Sequence, residues 1–388
     1  MRRASIAVAL ATFLAPLAFG TTVAGAEPTG QKVTVMTRNL YLGADIQRPI
    51  RATAGKTGPA ALVALANANH ETRAIVDETS FPVRAELIAA EIARVKPDLV
   101  GLQEVALWRR GPLELGALGV ANATSIDLDY LQVLLDSLAG RGQEYAAVSV
   151  QVESDIEAPS FLGSPFDGTI TDASDVRLTM RDVIIKRAGS KVHVTDSGGG
   201  NFAATLDLTI AGLPASFVRG FNWVDARVGR TSFRFVNTHL EAFSSDLALF
   251  QAQELVARAA ATDRTTVLVC DCNSDPLDHS VKPTDPFGTP HSGPYDFLTG
   301  AAGFTDQWLE WAPASAGWTS GLSETVDDTS AAGFDHRIDL VLARTPWGSG
   351  LRVDDGEVTG DELVDRDPAS GLWPSDHAGV VLTLRLVG

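Results

Sequence analysis

Trp373-Pro374-Ser375-Asp376-His377 runs directly into the apolar stretch Ala378 to Val387. This order puts an Asp-His pair at the entrance of a strand, where a Ser-Asp-His run by itself is commonly a capped turn. Four more stretches share that arrangement, an apolar strand ended by polar residues of catalytic use: Val33 to Asn39, Leu99 to Glu104, Phe233 to His239 and Val267 to Asn273. A fifth, Arg337 to Leu342, carries Asp339 inside the strand. Alone, each would be a strand-end turn or a solvated side chain; together they indicate a site built where strands end.

Between these strands the pattern changes to helical spacing. Pro82 to Ala93 places apolar residues three and four apart with Pro in the first turn, which predicts a helix lying on a sheet. Pro97-Asp98 ends it, and Leu99 to Leu102 then reads as a buried strand that delivers Glu104 to its carboxyl end. A second helix is expected over Asp127 to Leu138, capped by Thr124 or Ser125, followed by a strand from Tyr145 to Val152. Beyond Asp182 strands are expected at 183–186, 191–195, 203–210, 217–228 and 233–238, with Gly198-Gly199-Gly200 a loose connection. An amphipathic helix over 245–261 precedes the Asp271 strand. Strands mixed first with helices and then paired as hairpins fit an α/β (α+β) architecture of two sheets packed face to face with helices outside.

The chain has 388 residues and a formal charge of −17. Arg2-Arg3, the apolar run Ile6 to Phe19 and Ala24-Gly25-Ala26 fit a secretory signal over 1–26 cleaved before Glu27, so an extracellular protein is expected. The run is interrupted by Thr12 and Pro16 and falls short of the ~20 apolar residues of a bilayer span; no later segment is long enough, so no transmembrane segment is expected. The leader carries two Arg and no acids, and its removal brings the charge to −19. Non-specific nucleic-acid binders cluster Lys and Arg, and here the one basic run is Arg109-Arg110, so the sign weighs against a long nucleic acid. Residues 27–388 read as one domain, expected to be monomeric. Its two insertions, an Ala-rich segment over 45–80 that reads as helical and a long Pro/Gly/Asp/Ser-rich region over 274–330, are of the kind that shapes substrate choice. Cys270 and Cys272 flank Asp271, and strand alternation sends both sulfurs away from the carboxylate. A disulfide between residues two apart needs unusual geometry, so two small buried hydrophobes are expected instead.

Taken in chain order, Asn39, Leu102-Gln103-Glu104, Thr238-His239-Leu240, Asp271 with Asn273, Arg337-Ile338-Asp339 and Ser375-Asp376-His377 resemble the motifs of the endonuclease/exonuclease/phosphatase superfamily. Those metal-dependent phosphoesterases include pancreatic deoxyribonuclease, abasic-site endonucleases, inositol phosphatases and neutral sphingomyelinases. The resemblance covers most of residues 27–388. It implies a four-layered sandwich with two mixed sheets, and a secreted phosphoesterase that hydrolyses a phosphodiester or phosphomonoester by in-line attack of water. It further implies Glu104, Asn39 and Asp376 as metal residues. Asp271 would activate the nucleophile with Asn273, Asp339 would fix the tautomer of His377, and His239 would donate to the phosphate or the leaving group.

Hard oxygen ligands suit Mg²⁺, with Mn²⁺ or Ca²⁺ as alternatives. Phosphoryl transfer needs an activated water, neutralised phosphoryl oxygens and a stabilised leaving oxygen, and this residue set supplies all three. Where many relatives carry a Gly-rich run, and some nucleases a Tyr nearby, this chain has Met180-Arg181-Asp182. Arg181 is read as a phosphate ligand and Asp182 as the partner of His239, or the two as a surface pair. His336 is a rim candidate, and Trp373 reads either as a stacking residue at the rim or as core. Acidity ranks a small phosphate ester or phospholipid head group above nucleic acid as substrate. The alternatives are an extracellular endonuclease and a non-catalytic binding protein on the same fold.

Overall fold

The computed structural model describes residues 30–346 and 350–387, so the leader expected over 1–26 lies outside the described residues. Along the chain come β1 (Gln31–Asn39), α1 (Gln47–Thr53), α2 (Gly58–Glu78), α3 (Phe81–Val95), β2 (Leu99–Gln103), β3 (Leu107–Gly111) and β4 (Ser125–Asp129). Next are α4 (Tyr130–Gly140), β5 (Tyr145–Leu162), β6 (Thr171–Arg187), β7 (Val192–Asn201), β8 (Leu206–Ile210), β9 (Leu213–Phe217) and β10 (Gly220–Val228). The remainder is β11 (Thr231–His239), α5 (Ser245–Arg258), β12 (Thr265–Asp271), α6 (Gly293–Thr299), β13 (Thr305–Asp306), α7 (Gln307–Trp311), β14 (Asp339–Arg344), β15 (Gly350–Thr359) and β16 (Gly379–Val387).

One sheet runs β15-β16-β1-β2-β6-β3-β4 with β5 paired to β6; the other runs β13-β14-β12-β11-β10-β7; β8 and β9 form a separate hairpin. Both sheets are mixed, parallel at β1–β2 and β11–β12 and antiparallel around them. Three apolar layers hold them. Val35, Leu99, Ile184 and Leu382 of the first sheet meet Val224, Phe235, Val267 and Val341 of the second. The outer face of the first sheet (Met36, Val100, Leu102, Val183) is covered by Phe81, Ile88, Ile92, Tyr130 and Leu134 of α3 and α4. The outer face of the second (Val236, Leu268, Leu340) is covered by Ala248, Ala252 and Leu255 of α5 and Leu298 of α6. This is the four-layered sandwich of mixed sheets expected from the sequence.

Several local expectations are corrected. The helix expected over 127–138 begins at Tyr130, because Ser125–Asp129 pairs with β3 and Asp129, not Thr124 or Ser125, caps the helix by accepting from Leu131 N. The strand expected at 183–186 is the end of the much longer β6, and the one expected at 217–228 divides between β9 and β10. Cys270 and Cys272 form a disulfide. The expectation of two free thiols took the strand as extended through 272. It ends at Asp271, and the turn that follows brings the two Cα atoms to 5.0 Å, whereas extended residues two apart lie roughly 6.6 Å apart. Both cysteines are buried on the α5 side, opposite Asp271.

Close to the site the sheets approach through polar groups. Gln103 Nε2 donates to Asn237 Oδ1 at 2.6 Å, and Asn237 Nδ2 donates to Asn222 Oδ1 at 3.1 Å and to Leu102 O at 3.1 Å, all buried. Gly101 lies beside this bridge, and a Cβ there would overlap Val269 and the Asn237 amide. Gly101→Ala is therefore expected to cost about 1–3 kcal/mol of stability through overpacking, read as a lower denaturation midpoint with an unchanged slope; an unchanged midpoint would show that the sheets can part there freely.

Candidate active site

Strand register assembles the site. In the second sheet His239 is the Cα partner of Asp271, and Asp271 is the Cα partner of Asp339, so three polar residues stand side by side where β11 and β12 end and β14 begins. In the first sheet Asn39 pairs with Gln103, which places Glu104 just past the end of β2. His377 lies two residues before β16, the antiparallel neighbour of β1. The facing ends of both sheets thus bound a cleft of about 320 Å³ lined by Glu104, His239, Asp271, Asn273, Asp376 and His377 among others. Asn39 and Asp339 stand directly behind it, each bonded to a lining residue.

Asp271 is the junction. Its Oδ2 accepts from Asn39 Nδ2 at 2.8 Å and lies 3.4 Å from His239 Nε2 and 3.8 Å from His377 Nε2. Its Oδ1 accepts from the Asn273 backbone at 3.1 Å. Burial pushes its carboxyl up to about 7, with His377 opposing and Asp339 adding to the rise. His377 Nδ1 is 2.8 Å from Asp339 Oδ2. Burial would lower the His377 imidazole, but Asp339, Asp376 and Asp271 around it outweigh this and hold it well above the usual histidine range. Asp376, 3.9 Å from His377 Nε2, is raised to about 6 by burial.

Whether these residues fit a divalent cation is decided by the donor set. Glu104, Asp271, Asp339 and Asp376 are all carboxylates at one cleft, and Asp271 and Asp376 are raised by burial, with Asp339 and Glu104 adding to the rise of each. Glu104 uses Oε2 to accept from Leu42 N at 2.7 Å, leaving Oε1 with no hydrogen bond among the described residues. Asn39 Oδ1 accepts from Tyr41 N at 2.8 Å and retains a second lone pair. Asp271, Asp339 and His377 offer ligand atoms within 4.8 Å of one another, and Asp339 Oδ1 is buried without a partner. This oxygen-rich set fits a hard cation.

His239 departs from the expectation that a carboxylate orients it. Its Nδ1 lies 2.9 Å from Arg219 Nη1, a group that can only donate. Nδ1 is therefore the acceptor and the proton sits on Nε2, which faces Asp271. Burial, Arg219 and His377 hold the imidazole well below its ordinary value, so His239 is a neutral donor. Arg219 was not singled out by sequence, because it stands between strands in Val218-Arg219-Gly220 with no motif around it. Behind it lie Glu153, Asp182 and Glu241, all buried. Burial raises Glu153 to about 7, and burial with Glu153 raises Asp182 well above the carboxylate range; both Asp182 oxygens lack a partner.

The other sequence candidates sit away from the cleft. Arg181 donates to Val105 O at 3.0 Å and pairs with Asp129 at 2.6 Å, so its guanidinium is engaged in the first sheet and is no phosphate ligand here. Asp182 does not touch His239, whose ring is met by Arg219 instead, and the two do not form a surface pair. His336 is half exposed and bonds Asp275 Oδ2 at 3.1 Å, outside the lining. Trp373 is wholly buried against Phe334, its indole donating to Asp328 O, which gives it to the core.

Support for the site comes from both insertions. Arg48 pairs bidentately with Glu324 at 2.9 and 2.7 Å, and Tyr41 Oη donates to Glu324 O at 2.7 Å, so 45–80 and 274–330 clasp across the mouth. Thr319 Oγ1 accepts from Asp339 N at 3.1 Å while Thr319 O accepts from Ala378 N at 2.6 Å, tying the Asp339 strand to the His377 turn. Buried Arg84 donates to Leu40 O, Tyr41 O and Pro374 O, binding the turns after Asn39 and before Asp376. Tyr41, Glu104 and Asn273 all adopt positive φ, of 55°, 53° and 44°, a strain of the sort concentrated at functional sites.

Two outcomes follow. A cation held by Glu104 and Asp376 must displace the proton that Asp376 retains below about 6, so calorimetric Mg²⁺ or Mn²⁺ affinity is expected to fall roughly fourfold between pH 8 and pH 5.5; a flat affinity would remove Asp376 from the metal site. Arg219→Met strips buried Glu241 and Glu153 of their cation and is expected to cost about 3–5 kcal/mol at neutral pH. Acids whose folded pKa is raised bind protons more tightly when folded, so the deficit should shrink as pH falls from 7.5 to 5. A deficit that ignores pH would separate Arg219 from Glu153.

No protein-family model matches the chain, and no curated protein matches it. Among solved structures, an endonuclease/exonuclease/phosphatase family protein from Bacteroides thetaiotaomicron is 16% identical with a TM-score of 0.50, covering 92% of this chain and 98% of that one. A mannosyl-6-phosphatase from the same organism is 15% identical with a TM-score of 0.48, covering 91% and 99%. A humanised TDP2 of D. rerio is 14% identical with a TM-score of 0.48, covering 91% and 98%. At that TM-score the chain, with its two mixed sheets and outer helices, has the fold of the first of these, an endonuclease/exonuclease/phosphatase family protein.

Proposed function

We propose that this chain is a secreted, divalent-metal-dependent phosphoesterase. The observation that carries the reading is Asp271: a buried carboxyl raised to about 7, fixed by Asn39 and flanked by two imidazoles of opposite character. Such a group is poised to take a proton from water near neutral pH. Neutral His239 offers Nε2–H, and charged His377, with Nδ1–H given to Asp339, offers a second Nε2–H; both face the same cleft. These are the donors a phosphoryl group requires on its equatorial oxygens. Asn273 gives its Nδ2 to Leu240 O, which leaves its oxygen as the part of the amide available to orient the water.

In the proposed step the water oxygen bonds to phosphorus, the bond from phosphorus to the leaving oxygen breaks in line, the water proton passes to Asp271, and the leaving oxygen takes the Nε2 proton of charged His377. Glu104, Asp376 and Asn39 would hold the cation, with Mg²⁺ the first choice; when bound it supplies neutralisation of phosphoryl and leaving-group charge. Secretion rests on the leader and is supported by the Cys270–Cys272 disulfide, since such bonds persist in oxidising compartments. No helix among the described residues is long and apolar enough to cross a membrane. A small phosphate ester or phospholipid head group is favoured over nucleic acid. The cleft is lined by Asp45, Glu104, Asp271, Glu324 and Asp376 against a single arginine, Arg219, which is a poor track for a polyanion.

The test is phosphate or alcohol release by the protein with Mg²⁺ and with EDTA, across bis-p-nitrophenyl phosphate, inositol phosphates, phospholipids, RNA and plasmid DNA. Metal-dependent turnover of a small ester or phospholipid is the expected result, and inertness across the panel would leave a binding protein on this fold. Asp271→Asn and His377→Ala are each expected to lower turnover roughly 10²- to 10⁴-fold with the melting transition retained; near wild-type rates in either would remove that residue from the chemistry.

A further inference from the structure

Beside the catalytic cleft lies a second groove of about 270 Å³, and Ile46, Ile156, Leu178 and Phe217 line both. The groove continues between the first insertion, which contributes Ile50, and the β8–β9 hairpin, which contributes Leu213. Strands β3, β5 and β6 of the first sheet supply the rest of the lining through Trp108, Ile156 and Leu178, so two elements outside the two large sheets, one of them a detached two-stranded hairpin, complete a groove on that sheet. Ile46 and Ile156 are only partly buried, and Leu213 is exposed, so apolar surface remains open to solvent along a path that starts at the reacting groups.

The polar groups of the groove are already committed. Its single arginine, Arg73, is buried, stacked over Trp108 at 5.1 Å and paired with Asp77. Asp155 accepts from Arg177 at 2.8 Å, and Glu157 accepts from Ala123 N at 2.7 Å. Asp155 is neutralised by Arg177 and Arg109 behind it, and among the described residues the lining presents no uncommitted cation to a second phosphate, whereas its open apolar side chains would give a hydrocarbon matching surface. A single-phosphate ester whose phosphorus sits at Asp271 has its substituent directed either to solvent or along these shared apolar walls.

We propose that this groove seats an alkyl chain or aryl group carried by the phosphate ester, so the substrate class is an amphiphilic ester with one phosphate and one apolar arm. This rests on the phosphoesterase reading above. Apolar burial gives about fourfold in affinity per fully buried methylene. Phospholipid and soluble aryl or alkyl esters share this chemistry, and the assay distinguishes them by presenting the ester as monomer or as vesicle.

The experiment uses p-nitrophenyl alkyl phosphodiesters from methyl to octyl, held below their critical micelle concentrations, with the full chain and Mg²⁺. The expected result is kcat/KM rising about two- to fourfold per methylene before a plateau, with Leu213→Asp and Ile50→Asp flattening the series while leaving the methyl ester unchanged. A parallel arm with phosphatidyl vesicles assigns the arm to a lipid if vesicles outcompete the octyl ester and to a soluble ester if they do not. A flat wild-type series with the methyl ester cleaved would overturn the groove and leave the phosphoesterase standing. Silence of every ester would overturn the phosphoesterase reading instead. The groove is then judged by calorimetry with methyl and octyl phosphate, where equal Kd values overturn it and tighter octyl binding, lost in Leu213→Asp, supports it.

Discussion

The hydrogen bond from Asn39 to Asp271 joins the two sheets at the floor of the cleft, and the site's geometry depends on it. Asn39 ends β1 in one sheet and Asp271 ends β12 in the other, so the bond sets how far apart the two sets of strand ends stand. Apolar contact alone would bring the sheets together without choosing a register between them, because dispersion and burial are not directional. A buried amide against a buried carboxylate is directional, and so are Gln103, Asn237 and Asn222 a few residues below. A polar layer of this kind is tolerable inside a protein when its members are bonded, and the same low dielectric that strengthens it makes any misalignment costly.

That requirement explains why the chain can hold so many acids in one place. Carboxylates at a shared, desolvated cleft oppose one another's ionisation, and Asp271 and Asp376 show it in their raised values. The opposing charges present are few: His377, Arg219 at His239, and Arg84 behind Asp376. The crowd is thus a standing demand for positive charge, which a cation or the protonated His377 can meet. Strained backbone at Tyr41, Glu104 and Asn273 is a second cost borne at the same place. Both costs are offset by the three apolar layers that hold the strands from either side.

The two insertions act differently from one another. The second is in part a structural brace, since Thr319 ties the strand of Asp339 to the turn of His377 and Trp373 anchors the segment into its own small core. The first forms one wall of the cleft and, with the β8–β9 hairpin, of the groove beside it. Its Val76, Ile46 and Ile75 also pack into the core on the outer face of the first sheet, so the same insertion is wall and cover at once.

By itself the sequence determined the elements that depend on local order. Apolar runs ending in Asn39, Glu104, His239 and Asp271 are legible because a buried strand must be apolar along its length, so a polar residue at its end stands out. Pro82 to Ala93 is legible because helical spacing repeats. The tertiary structure alone decided what lies across space. Arg219 meets His239 across a connection between strands that no spacing encodes, and Arg181 is diverted to Asp129 at the end of β4, one strand beyond β3. Trp373 is drawn into the core by Phe334, and the turn after Asp271 closes Cys270 onto Cys272 where an extended strand would have held them apart. Local patterns report how one segment meets solvent or core, whereas the partner of a buried charge is chosen by which segments the fold brings within hydrogen-bond reach, and that information is spread over the whole chain.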